Sequence, residues 1–190
     1  MGQDDEKEWE AARDSIDIAI SNATSQIFFI AAGNGGRNEK TLFPANLNND
    51  HVFAVYASEG KGTGTTVNPI PGRKRAFMTL GKSVPLQSLP RHGGEPIYCK
   101  GTSYATPIAA GITALFRTID FRKSADCLSE KTLRELEKWG PNAVAMLFEL
   151  MAQGSTKEYQ YVCPWNLLTM DSRALKRRAD FTRINEMFDP

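Results

Sequence analysis

Histidine is almost absent from this sequence: His51 and His92 are the only two among 190 residues. Chemistry that needs an imidazole base therefore has at most two candidates within it. Cysteine is scarce as well. Cys99, Cys127 and Cys163 are widely spaced, odd in number and without a CxxC pair, which argues against a disulfide framework or a zinc spacing and suits a reduced chain. No apolar run approaches the ~20 residues of a membrane span. The opening MGQDDEKEWE is acidic and polar, unlike a secretory leader, and Gly2 heads no myristoylation motif because Glu6 stands where Ser or Thr is needed. Charge of either sign is not in excess: 23 basic residues stand against 22 acidic ones, for a net charge of +1. That balance points to neither a nucleic acid nor a membrane partner. The expectation is a globular, cytoplasmic chain.

What is present reads as α/β. Residues 6–23 place Trp9, Ala12, Ile16, Ala19, Ile20 and Ala23 at helical spacing. After Thr24-Ser25-Gln26 comes IFFIAA, a continuous apolar run of strand length, as expected of a strand covered on both faces. It stops at Gly33-Asn34-Gly35-Gly36. A second run, 51–57, holds Val52, Phe53, Val55 and Tyr56. Residues 58–100 are rich in turn formers, with short extended pieces AFMTL and PIYCK. Helical patterns follow at 101–118, 129–139 and 142–153, then an aromatic stretch broken by Pro164 at 159–168, then a basic helix from Leu175 to Phe188.

Two segments carry chemistry. In Gly101-Thr102-Ser103-Tyr104-Ala105-Thr106-Pro107, Gly101 lets the chain turn sharply and Thr102 is a candidate helix cap. Ser103 then sits where unpaired amides and the positive end of the helix dipole gather. The other reading is a plain Gly-Thr-Ser cap before a core helix. In Ala31-Ala32-Gly33-Asn34, an asparagine at the end of a buried strand can aim its amide into a cleft and hold a developing oxyanion. By itself a Gly-Asn-Gly turn is commonly structural.

In order, AAGN, the FPA turn, a second buried strand and GTSYATPIAAG resemble the subtilisin-like serine peptidases, the subtilases. The likeness covers most of residues 6–118. It implies a three-layer α/β fold with a mostly parallel sheet and a buried central helix carrying the serine, and residues 119–190, outside the likeness, read as a helical extension. It makes Ser103 the nucleophile, Asn34 an oxyanion donor, and Ala31, Ala32 and Gly33 part of the wall for a substrate side chain. The implied partner is a peptide or protein substrate. No cofactor or metal ligand set is indicated; a structural calcium is left open.

The sequence departs from the family in one respect. A subtilase needs an aspartate and a histidine base in the chain order Asp, His, Ser, and residues 1–33 contain no histidine. His51 reads as a surface or capping residue and His92 as part of a hairpin loop. Asp4, Asp5, Asp14 and Asp17 read as solvated charges, and Lys100 as exposed beside a turn. The implied activity is peptide-bond hydrolysis through an acyl-enzyme on Ser103, silent in this chain because Asp and His are wanting. A partial sequence, a pseudoenzyme and one piece of a split enzyme remain open, with the N-terminal half of the domain as the partner in the last case. The alternative is a non-catalytic peptide-binding or scaffold module. Gly60-Lys61-Gly62-Thr63-Gly64-Thr65 does not meet the phosphate-loop pattern, and Lys176-Arg177-Arg178 with Arg173 and Arg183 reads as a solvated helix face.

Overall fold

The computed structural model describes residues 3–72, 75–89, 93–118, 129–153 and 158–168. His92, Cys127 and the expected basic helix at 175–188 lie outside them. Helix α1 (Gln3–Asn22) leads into strand β1 (Phe28–Ala31), and after a 3-10 turn at Gly36–Asn38 the chain forms β2 (Val52–Ser58) and β3 (Phe77–Leu80). A hairpin of β4 (Val84–Gln87) and β5 (Pro96–Cys99) precedes α2 (Thr102–Arg117). Then come α3 (Glu130–Lys138), α4 (Pro141–Met151), β6 (Ala152–Gln153), β7 (Gln160–Val162) and α5 (Trp165–Leu168).

The sheet has the order β1-β2-β3-β7-β6. β1, β2, β3 and β7 run parallel, and β6 closes against β7 antiparallel. The apolar runs account for this: all seven residues of β2 are buried, as a parallel strand covered on both faces requires. Alternation along β2 sends Phe53, Val55 and Ala57 into one core and Ala54 and Tyr56 into another. The first core is filled by α2 and α4 and centres on aromatic rings. Phe77 meets Phe148 edge-on at 5.2 Å, and Phe53 lies 5.4 Å from Phe29 and 6.2 Å from Phe77. On the other face Tyr56, Met78, Tyr159 and Tyr161 pack together, with the Tyr159 hydroxyl donating to the Pro69 carbonyl.

The segment expected as a helical extension therefore does more than pack helices. Leu136 and seven residues of α4 enter the first core, and β6 and β7 lengthen the sheet. Sequence periodicity marks α3 and α4 but not strands of two and three residues. The serine helix α2 buries Thr102, Ala105, Ala109, Ile112 and Phe116, whereas its opposite face, including Ala110, Gly111, Ala114 and Leu115, is exposed.

Candidate active site

The C-terminal end of β1 and the start of α2 meet. Gly101 approaches in a conformation open to glycine (φ 136), and a Cβ there would come within 3.2 Å of the Asn34 amide. Its N–H donates to the Gly81 carbonyl at 2.8 Å, anchoring the turn to the end of β3. The expected cap is not the observed one. Gly101 occupies the capping position with no side-chain cap of its own, and Thr102 is the first helical residue. The Thr102 hydroxyl cannot serve its own helix because it turns to β1, lying 3.2 Å from the Gly33 carbonyl and 3.3 Å from both the Gly33 nitrogen and Asn34 Oδ1. Asn34 does the capping from the loop that follows β1, its Oδ1 accepting the Thr102 backbone N–H at 2.9 Å.

This contact fixes the amide of Asn34. With Oδ1 held by a donor, Nδ2 is turned the other way. The first-turn amides of α2 are then accounted for on either side of Ser103: Thr102 N–H goes to Asn34, and Tyr104 N–H to the Gly101 carbonyl at 3.2 Å. Among the described residues neither the Ser103 N–H nor Asn34 Nδ2 has a hydrogen-bond partner. The Ser103 side chain is exposed at the positive end of the helix. Below it the helix start is locked, since the Thr79 hydroxyl of β3 donates to the Ala105 carbonyl at 2.7 Å and Thr106 donates back to the Thr102 carbonyl at 2.8 Å. Sequence reasoning missed Thr79 and misassigned Thr102; a threonine in a buried strand reads there only as a strand former.

Of the three expected wall residues, Ala32 is wholly buried and belongs to the second core, while Ala31 and Gly33 are half-exposed. Leu42, not anticipated from the sequence, lies against Gly33 so closely that a Cβ on Gly33 would sit 2.9 Å from it, and remains 49% exposed. Tyr104, next to the serine, has its phenol held above the ordinary value, first by a hydrogen bond to the Cys99 thiol, then by the charge that thiol can carry and by burial.

His51 stands before β2, at the opposite end of the strands from Asn34, with Nδ1 2.8 Å from the Gln26 carbonyl. Lys100, Asp14 and Asp17 are exposed. Residues 59–64 form a turn closed by Glu59 N–H to the Thr63 carbonyl rather than a phosphate cradle. No cluster of metal-ligating side chains occurs among the described residues, and no helix among them is long and apolar enough to cross a membrane.

Residues 1–154 match the family model of the subtilase family, peptidase S8. No curated protein matches by sequence. Among solved structures, a mutant of the protease domain of PatA is 22% identical, with a TM-score of 0.54 over 83% of this chain and 52% of that one. The prenylagaramide maturation protease PagA is 21% identical, with a TM-score of 0.55 over 91% and 54%. The patellamide maturation protease PatG is 18% identical, with a TM-score of 0.55 over 90% and 48%. The chain thus spans about half the length of the solved chains it matches.

Proposed function

The chain belongs to the subtilase family, and from that premise we propose that it is the nucleophile-bearing part of a serine endopeptidase site whose histidine and aspartate come from polypeptide outside residues 1–190. The observation that carries this reading is the Thr102-to-Asn34 bond at 2.9 Å, which leaves Asn34 Nδ2 and the N–H of the exposed Ser103 without a partner among the described residues. In this role Ser103 Oγ attacks a peptide carbonyl and passes its proton to the histidine, and the carbonyl oxygen becomes an anion held by the two donors. Collapse expels the amine, which takes the proton, and water later cleaves the acyl-serine. Ala31 and Gly33 would border the bound peptide. No step calls for a cofactor.

Without the base the hydroxyl stays protonated at neutral pH and is a poor nucleophile, so the purified chain is expected to be silent. The test is hydrolysis of an unfolded protein by the purified chain, with Ser103→Ala as control. Turnover that vanishes in Ser103→Ala would place the base within residues 1–190, His92 being the first to examine. A non-catalytic peptide-binding module is the second reading, favoured by the remoteness of His51 from Ser103. It predicts peptide binding unchanged by Ser103→Ala and no gain of turnover with any histidine-bearing partner.

A further inference from the structure

The loop after Asn34 holds a glycine that backbone conformation does not explain. Gly33 and Gly36 have positive φ, but Gly35 sits at φ −78, ψ 0, a conformation open to any residue. What calls for glycine there is space: a Cβ on Gly35 would overlap the carboxylate of Glu39, 2.6 Å from its Oε1. The 3-10 turn at Gly36–Asn38 brings Glu39 back over Gly35. Backbone bonds hold it there, the Glu39 N–H donating to the Gly36 carbonyl at 3.1 Å and the Ile70 N–H to the Glu39 carbonyl at 2.8 Å. Among the described residues the Glu39 carboxylate has no ion pair, whereas Glu59, Glu149 and Glu158 each meet a basic side chain. Arg37, two residues away, is the partner of Glu158 at 2.7 Å. Leu42 returns to the same stretch: its N–H donates to the Ala32 carbonyl at 3.0 Å, and its side chain covers Gly33 while staying half-exposed. Asn34 is thus flanked by apolar carbon at Gly33 and an unpaired carboxylate at Gly35.

An apolar surface beside an unpaired negative charge matches one kind of peptide side chain, an aliphatic stem that ends in a cation. A wholly apolar side chain laid there would strip water from the carboxylate without replacing it, and an acidic one would meet a like charge. We infer that Glu39 is a specificity-determining residue that selects lysine or arginine, with Leu42 supporting the stem. The residue selected is the one whose carbonyl oxygen Asn34 Nδ2 would hold, because its side chain is bonded closest to that carbonyl and so to the flanks of Asn34. The position of the peptide rests on the function proposed above; the pairing of Glu39 with a cationic side chain is tested separately from it.

The experiment offers the purified chain 4-nitrophenyl esters of one peptide ending in lysine, norleucine or glutamate and follows acylation of Ser103 by mass spectrometry. The lysyl ester should react about tenfold faster than the norleucyl ester, the order expected of one hydrogen bond to a charged group. Added salt should lower that ratio, and Glu39→Gln should bring it close to one. Glu39→Lys should favour the glutamyl ester instead. Gly35→Ala, whose methyl displaces the carboxylate, should lower the ratio while keeping the parent's circular dichroism. Equal lysyl and norleucyl rates, or a lysyl preference that survives Glu39→Gln, overturn the inference. If no ester acylates Ser103, the catalytic reading fails by itself, and binding of the same peptides as free acids to Ser103→Ala decides the inference. Fluorescence anisotropy should then show the lysine peptide bound about tenfold more tightly than the norleucine peptide, a difference lost when Glu39→Gln is added. Equal binding, or none, overturns it.

Discussion

The backbone N–H of Thr102 donates to Oδ1 of Asn34 at 2.9 Å, joining residues 68 apart in sequence. One bond thus caps α2 and sets the direction of the Asn34 amide. Two substitutions separate these effects. Asn34→Asp keeps the acceptor and adds charge favourable at a helix N-terminus, so stability should hold or rise while the donor is lost. Asn34→Ala should cost about 1 kcal/mol, the usual loss of a cap. Urea denaturation of the three proteins decides the matter, and equal losses for Asp and Ala would show that the cap contributes nothing.

The Thr102 hydroxyl is buried between Gly33 and Asn34. Thr102→Val preserves shape and removes the oxygen, leaving the Gly33 backbone without that partner. A loss of about 1–3 kcal/mol is expected, with most of it restored in Thr102→Ser. Denaturation midpoints of Val and Ser variants falling together would mean that the methyl, not the hydroxyl, matters.

Phe148 is 1% exposed and touches Phe29, Phe53 and Phe77. Phe148→Ala should therefore cost about 3–5 kcal/mol. Leu115→Ser, on the exposed face of α2, should shift stability by no more than ~0.5 kcal/mol. The contrast tests the assignment of residues 141–151 to the core; a mild Phe148→Ala would contradict it.

Tyr159, Tyr161 and Cys163 have their pKa values raised, in each case mainly by burial, from ordinary values of 10.0, 10.0 and 9.0. A raised folded-state pKa means that the folded chain keeps protons which the unfolded chain releases. Stability from these groups is complete below pH 9 and is lost as pH climbs through their folded values. The unfolding free energy should decline above about pH 9, with a shallower slope in Cys163→Ala. A flat profile between pH 8 and 11 would contradict the burial of these side chains.

Much of this was legible in the sequence, for physical reasons. IFFIAA and residues 52–57 offer water almost no polar group, so covered parallel strands are the reading left; the parallel pairing of β1 with β2 and the burial of β2 bear it out, whereas β1 is only half-buried. The helix at Ser103 was legible through Gly101 and the small residues that follow. Hidden were features set by contacts between distant residues. Thr102 looks like a cap until Gly33 and Asn34 are beside it. Ala32 looks like cleft wall until strand alternation turns it inward against the second core. Strands as short as β6 and β7 have no period to detect, and only pairing with β3 and with each other defines them.

The most direct test of the account treats the chain with an activated peptidyl ester, whose good leaving group lessens the need for a base. Mass spectrometry then maps the acyl group. The account predicts acylation at Ser103 above every other serine, slowed roughly 10²-fold in Asn34→Asp, the order found for such donors in subtilases. Acylation scattered over surface lysines and serines, or a Ser103 rate indifferent to Asn34→Asp, would contradict it.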